Sequence, residues 1–141
     1  LMCLASAMNL IKLLTVESEE NSSIFQLIDK FFMILPKKNW IKEYIFWELK
    51  LLKLIGYDLE LKNLVNREVI NNETKYFVKS KTEKKIVPNF LIDLDKEELN
   101  NINLLDGLKL VGDYLEKSIL KPNNINYPSE RLDFINILKR S

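Results

Sequence analysis

The stretch from Asn39 to Gly56 constrains the fold most, because its apolar residues recur at helical spacing over about four turns. Asn39 can cap such a helix, and Gly56 can end it because glycine accepts the left-handed backbone that follows many helices. The apolar positions form one wide face: Trp40, Ile41, Tyr44, Ile45, Trp47, Leu51, Leu52, Leu54 and Ile55. Since so wide a face must contact several neighbours, the segment predicts the central helix of a mostly α-helical fold.

One charged residue, Glu48, falls on this apolar face, between Tyr44 and Leu52. A buried carboxylate costs several kcal/mol unless it is paired or hydrogen-bonded, so Glu48 must have a partner. The partner is a backbone group or a cation of another element, or else Glu48 is a catalytic acid. The chain has no histidine and no second carboxylate at a fixed helical spacing from Glu48, so the structural role is favoured.

Helices are also expected before and after the central one. Residues 4–14 place an apolar residue on every turn, and Ser22 or Ser23 can cap a second helix that ends at Pro36. Asn103 can cap a later helix that packs on the central one and that Pro122 ends. Pro128 fits the start of a last short helix.

Residues 63–88 have a different pattern. Tyr76 to Val78 and then Ile86 with Val87 are short β-prone runs, which predict a small hairpin. The expected architecture is one compact, mostly α domain over residues 1–141, with a β-hairpin insertion at about 64–90.

The composition excludes several classes of chemistry. Histidine is absent and Cys3 is the single cysteine, which excludes serine-histidine and cysteine-histidine catalysis, the usual zinc sites and an internal disulfide. The 21 basic and 20 acidic residues give a formal net charge of +1, so no overall field attracts nucleic acid or membrane. Without a candidate secretory signal or a long apolar stretch, a cytoplasmic protein with no membrane partner, metal or cofactor is expected.

The side of the central helix opposite its widest face interleaves basic and apolar residues. These are Lys42, Phe46, Leu49, Lys50 and Lys53. In one interpretation, Phe46 and Leu49 meet another helix of the domain while the lysines surround them. In the other, the five residues bind an acidic peptide with an aromatic end, and Lys37 and Lys38 extend the rim of that site.

The hairpin region is the second basic segment, with five lysines against Glu73 and Glu83. The lysines are Lys75, Lys79, Lys81, Lys84 and Lys85. They form either a solvated charge run or a DNA contact in which lysines meet phosphates while Tyr76 and Phe77 stack on bases. Binding of that kind depends on salt and not on sequence.

An enzyme is the least favoured class. The acidic run Asp93, Asp95, Glu97 and Glu98 resembles the carboxylate cluster of a metal-dependent nuclease only in composition. We interpret it as the solvated start of a helix, where acidic side chains favour the helix dipole. No catalytic residue is assigned.

Residues 46–57 read Phe-Trp-Glu-Leu-Lys-Leu-Leu-Lys-Leu-Ile-Gly-Tyr. This run resembles the segment in which RecO proteins carry an aromatic-Glu-Leu start, a leucine-rich stretch and a closing Leu/Ile-Gly-Tyr/Phe. The helices before it, the hairpin after it, residues 107–116 and the ending Ser129 to Leu132 are similar to the family in order and spacing. The resemblance therefore covers nearly the whole chain, as a RecO-like helical C-terminal domain.

The resemblance implies a non-enzymatic mediator of DNA repair and homologous recombination. RecO proteins work with RecR, and sometimes RecF, to load RecA onto strands coated by single-strand-binding protein, and they anneal strands. In some relatives this domain takes the acidic, Phe-ending tail of the single-strand-binding protein. Single- and double-stranded DNA bind mainly through an N-terminal OB-fold domain, which is absent from this sequence.

The chain departs from many relatives in the hairpin. Where those relatives carry the first of two or four zinc-binding cysteines, this sequence has Leu64. The resemblance therefore implies a degenerate zinc-ribbon-like hairpin that binds no zinc. An unrelated helical protein-protein interaction domain, without a role on DNA, is the alternative to the mediator.

Overall fold

The computed structural model describes residues 2–15, 22–79, 82–93 and 100–140. These residues fall into two compact units, which are described separately. The first unit consists of Leu1–Leu59 with Val111–Ser141, and the second of Glu60–Leu110. The fold is mostly α, with a small antiparallel sheet in the second unit, as the sequence predicts.

The first unit is helical. It contains α1 (Met2–Leu14), α2 (Ser22–Ile34), α3 (Trp40–Leu54) and α6 (Ser129–Lys139). The helix α5 (Asn101–Leu115) contributes its residues from Val111 onward, and a π-helical turn at Glu116–Leu120 and a 3-10 turn at Lys121–Asn123 follow it. Pro122 lies within this 3-10 turn, so the chain stays helical for slightly longer than the sequence predicts.

The central helix α3 ends as the sequence predicts. Gly56 has a φ of +97°, the left-handed conformation that glycine adopts without strain. The backbone N–H of Tyr57 donates to the carbonyl of Leu52, and that of Gly56 donates to Lys53, which is the Schellman arrangement. At the other end Asn39 is the N-cap residue, but its side chain makes no capping hydrogen bond.

The core of the first unit is built around aromatic rings. The Phe31 ring lies 5.4 Å from the Trp47 ring, and the Tyr44 ring lies 5.3 Å from that of Phe134 on α6. The indole N–H of Trp47 donates to the carbonyl of Leu27 at 2.7 Å. The wide apolar face of α3 therefore packs on several helices. Leu54 was predicted on this face but is 42% exposed, because it lies in the last turn.

The second unit carries the sheet. It contains the short helix α4 (Leu61–Leu64), the strands β1 (Asn66–Ile70), β2 (Glu73–Lys79) and β3 (Lys84–Val87), and a 3-10 turn at Asn89–Leu91. The strands pair antiparallel in the order β1-β2-β3. The hairpin of β2 and β3 confirms the prediction, whereas β1 was not predicted. Asn71 and Asn72, both with positive φ, form the two-residue turn between β1 and β2.

The start of α5 differs from the prediction. The side chain of Asn100 accepts a hydrogen bond from the backbone N–H of Asn103 at 2.8 Å, so Asn100 caps the helix. The prediction that Asn103 caps it was wrong, because Asn103 already lies inside the first turn. Of the acidic run before the helix, only Asp93 belongs to the described residues; Asp95, Glu97 and Glu98 lie outside them.

No helix among the described residues combines the length and the apolar character needed to cross a membrane. Within the same residues, no three histidine, cysteine or carboxylate side chains lie close enough together to hold a metal ion.

Candidate peptide-binding groove

A groove of about 160 Å³ lies between α2 and α3 of the first unit. The two helices run antiparallel, because Trp47 reaches back to Leu27 while Phe31 contacts both Trp47 and Tyr44. The lining residues come from both helices and the turn that joins them: Lys30, Met33, Ile34, Lys37, Glu43, Phe46, Trp47 and Lys50. We call this set the α2–α3 groove.

The floor of the groove is apolar and firmly held. Trp47 is 1% exposed and Ile34 is buried, so both belong to the core as well as to the groove. Phe46 is half-buried, and Met33 is 68% exposed. An exposed methionine beside a partly open aromatic ring provides an adaptable surface for another apolar side chain.

The rim of the groove is basic. Among the described residues, no carboxylate forms an ion pair with Lys30, Lys37 or Lys50. Glu43 is the one carboxylate among the lining residues. Three cations around an apolar floor are suited to a ligand that combines carboxylates with an apolar group.

The groove brings together two of the five residues predicted to bind a peptide. Phe46 and Lys50 line it, and so does Lys37, which was predicted at the rim. Lys42 and Leu49 are half-buried and do not line it. Lys53 is exposed and lies 4.0 Å from the carboxylate of Asp58.

The α2 side of the groove was not predicted. Lys30 and Met33 lie on the outward side of α2, whose opposite side buries Leu27, Phe31 and Ile34. A signal was present, because Met33 is an apolar residue with Lys30 and Lys37 three and four positions away. Without the pairing of α2 with α3, nothing in the sequence connects these residues with Phe46.

The partner that Glu48 was predicted to need is Arg131 of α6. The guanidinium donates from Nε to Oε2 at 2.9 Å and from Nη2 to Oε1 at 2.7 Å. The side chains are 2% and 0% exposed. Nη1 of Arg131 also donates to the Tyr127 hydroxyl at 2.6 Å. Because both carboxylate oxygens are bound by the guanidinium, the geometry agrees with the structural role of Glu48.

Gly112 on α5 leaves room for this pair. A Cβ atom at position 112 would lie 2.6 Å from Nη1 of Arg131 and 2.8 Å from the Tyr127 hydroxyl. Either distance is well below normal van der Waals contact. Glycine is therefore required here for close approach and not for its backbone conformation.

The buried charges act on neighbouring groups. Burial alone lowers the pKa of Arg131, but the charge of Glu48 and its hydrogen bonds raise it, and the net effect is a rise. Burial, together with the negative charge of Glu48, raises the pKa of Cys3 to about 12. The same two causes raise the pKa of Tyr44 well above its ordinary value. The cysteine is therefore an uncharged core residue at neutral pH.

The predicted DNA-binding lysines are divided between the faces of the sheet. Lys75 and Lys79 lie on one face of β2, and Lys84 opposite Lys79 shares that face, whereas Lys85 pairs with Val78 on the other. Lys81 lies outside the described residues.

Two of the lysines are engaged in contacts within the sheet. Lys84 binds Glu68 at 2.8 Å, and its Nζ lies 4.1 Å from the centre of the Phe77 ring. Lys85 forms an ion pair with Glu83 at 3.7 Å. Since Phe77 is buried beneath Lys84, it offers little surface to a base. Of the predicted lysines that the structure describes, Lys75 and Lys79 form no ion pair with another described residue.

A wider cleft of about 650 Å³ lies at one end of the same sheet. Its lining includes the cations Arg67 and Lys75 and the carboxylates Glu73 and Asp93. With equal numbers of positive and negative groups, it offers a phosphate no net attraction.

Three comparisons with known proteins bear on this chain. The family described as "Recombination protein O C terminal" matches residues 1–124. The search of curated proteins and the search of solved structures gave no match. The family match covers the groove and the sheet, and α6 with Arg131 follows it. Since it spans well over half of the chain, the protein belongs to the recombination protein O C-terminal family, with a general role in DNA recombination and repair.

Proposed function

We propose that this chain is a non-enzymatic mediator module that docks, through the α2–α3 groove, on the acidic, Phe-ending tail of single-strand-binding protein. The observation that carries the proposal is the combination of Lys30, Lys37 and Lys50, without ion pairs among the described residues, with the apolar floor at Phe46. Family membership adds the setting of recombination and repair. It also removes the alternative of an unrelated helical module.

The chemistry of the groove matches such a tail. An exposed ion pair contributes at most about 1 kcal/mol, so several lysines together give weak, salt-sensitive attraction. A phenyl ring placed against Phe46 and Met33 adds apolar burial, and aromatic pairs gain about 0.5–1.5 kcal/mol beyond it. We expect an affinity in the micromolar range, equivalent to about 8 kcal/mol.

In the wider proposal, docking places the mediator on coated single strands, where it helps to load RecA and to anneal complementary strands. RecR is the proposed protein partner. Single- and double-stranded DNA are proposed to bind mainly through an OB-fold domain outside this sequence. Lys75 and Lys79 of β2 are proposed as auxiliary phosphate contacts, since they lie on one face without ion pairs among the described residues.

The test is a fluorescence-anisotropy titration of a labelled peptide ending in Asp-Asp-Asp-Ile-Pro-Phe, at two salt concentrations. We expect micromolar binding that weakens with salt and requires the terminal phenylalanine. A matched peptide ending in alanine is the control. Binding that ignores both salt and the terminal residue would contradict the groove as the docking site, and so would the absence of binding.

A further inference from the structure

The charges of the α2–α3 groove are distributed unevenly along its length. Because the helices run antiparallel, Lys37 in the connecting turn lies near the first turn of α3, which carries Glu43. Lys30 of α2 directly precedes Phe31, whose ring contacts Trp47, and Lys50 comes three positions after Trp47 on α3. Two cations therefore lie toward the end at Lys50, one of them level with Trp47, and one cation and one carboxylate lie toward the turn end.

The apolar floor lies between these two ends. Along α3, Glu43 comes one turn before Phe46, and Lys50 comes one turn after it. Met33 and Ile34 of α2 lie between Lys30 and Lys37 in the same way. The groove thus is basic from the level of Trp47 to Lys50 and nearly neutral toward the turn.

We infer that Glu43 is a specificity-determining residue that limits ligands to peptides with acidic residues on one side only of their apolar anchor. This inference rests on the proposed peptide docking. The acidic residues before the anchor meet Lys30 and Lys50, and a single terminal carboxylate meets Lys37. Further carboxylates beyond the anchor lie beside Glu43, which repels them.

Glu43 also has a simpler role. A carboxylate in the first turn of a helix interacts favourably with the helix dipole, so Glu43 stabilises α3 in any case. That role affects the stability of the unit but does not distinguish between two peptides. The ratio of two affinities therefore separates selectivity from stability.

The experiment compares two labelled peptides on the whole chain. The first ends in Asp-Asp-Asp-Ile-Pro-Phe, and the second carries two further aspartates after the phenylalanine. In a uniformly basic groove the second peptide would bind more tightly, because it carries more negative charge. We expect it to bind about threefold more weakly than the first, the size of one exposed charge interaction.

The variant Glu43→Gln removes the carboxylate and keeps the shape of the side chain. We expect it to reverse the order, so that the second peptide binds at least as tightly as the first. Asp133→Asn on the exposed side of α6 is the matched control, since it changes the net charge equally without lining the groove. Its ratio of the affinities for the two peptides should equal that of the parent.

The outcomes separate the inference from the proposed function. If the first peptide binds with dependence on Phe46 and Glu43→Gln leaves the ratio unchanged, the selectivity of Glu43 is overturned and the docking groove stands. A parent protein that binds the second peptide more tightly than the first would also overturn the selectivity of Glu43 and leave the docking groove standing. If neither peptide binds, both the proposed function and the inference are overturned.

Discussion

Glu48 of α3 and Arg131 of α6, 83 positions apart in sequence, form a two-point ion pair that is almost completely buried. Removing one member leaves the other as an uncompensated charge, at a cost of about 3–5 kcal/mol. We therefore expect Arg131→Met or Glu48→Leu to lower the free energy of unfolding by that amount, measured by urea denaturation.

The double variant tests the origin of that loss. Replacement of both members of a buried pair by apolar residues is often neutral or stabilising. We expect Glu48→Leu with Arg131→Met to be more stable than either single variant. A double variant that loses the sum of the two single losses would show that the residues act independently, so that an uncompensated charge is not the cause of the single losses.

Gly112→Ala should destabilise the first unit although alanine is the better helix former. Alanine gains about 1 kcal/mol in helix propensity, but the added Cβ would lie 2.6 Å from Nη1 of Arg131. Overpacking in a core costs about 1–3 kcal/mol, so a net loss is expected on thermal or urea unfolding. In the Glu48→Leu, Arg131→Met background the penalty should shrink. An equal loss of stability in that background would show that the contact with Arg131 is not its cause.

Stability should fall at alkaline pH partly because of Cys3. Its pKa is raised to about 12 by burial and by Glu48, whereas an unfolded thiol titrates near about 8.5. The contribution of the neutral thiol is fully present below about pH 8.5 and is lost as the pH rises from there toward about 12.

Urea unfolding at pH 7.5 and 9.5 measures this effect, with Cys3→Ala as the reference. The parent should lose about 1.4 kcal/mol more than the variant between the two pH values, because the unfolded thiol is about 90% ionised at the higher one. The other titratable side chains are present in both proteins, so the comparison isolates the contribution of Cys3. Equal losses would mean that Cys3 is accessible to solvent in the folded state.

Two matched double variants locate the peptide site on α3. Phe46→Ala with Lys50→Glu changes two residues that line the groove, and we expect more than tenfold weaker binding of the Asp-Asp-Asp-Ile-Pro-Phe peptide, about 1.4 kcal/mol. Leu49→Ala with Lys53→Glu makes a similar change three positions later, outside the groove. Circular dichroism checks that both remain folded. An equal loss in both would favour the wider surface predicted from sequence.

The lysines of the sheet should differ in their effects. Lys75→Ala with Lys79→Ala removes two cations without ion pairs among the described residues. We expect this variant to reduce the salt dependence of single-strand binding by about one to two in the slope of log K against log salt. Lys84→Ala should instead lower the stability of the sheet, because it removes the contacts with Glu68 and Phe77. A reduced salt slope for Lys84→Ala, together with a loss of sheet stability for the Lys75 and Lys79 variant, would contradict this division of roles.

Local patterns were sufficient to predict much of the fold. The helix from Asn39 to Gly56 and the hairpin of β2 and β3 follow from residue spacing, since amphipathic periodicity and turn residues act within a few positions. The strand β1 was missed because Asn66, Arg67 and Glu68 provide no apolar alternation, and its pairing with β2 supplies what its own sequence does not.

Long-range partners were beyond such patterns. That Glu48 needs a partner followed from its helical face, but Arg131 is joined to it only by the packing of distant helices. In the same way, Phe46 and Lys50 were predicted to lie together, while Lys30 and Met33 required the pairing of α2 with α3. When two helices form a site, the sequence shows the residues that each helix contributes but not that the two sets lie together.

The buried pair of Glu48 and Arg131 also has a consequence for biosynthesis. Glu48 is translated 83 positions before Arg131, a delay of roughly 4–17 s at ordinary elongation rates. During that interval the carboxylate has no guanidinium, and the apolar surface that Phe134 and Ile135 cover is open to water. This unit is therefore completed only once α6 has been made, and chains cut short before α6 should be recognised and degraded as unfolded protein.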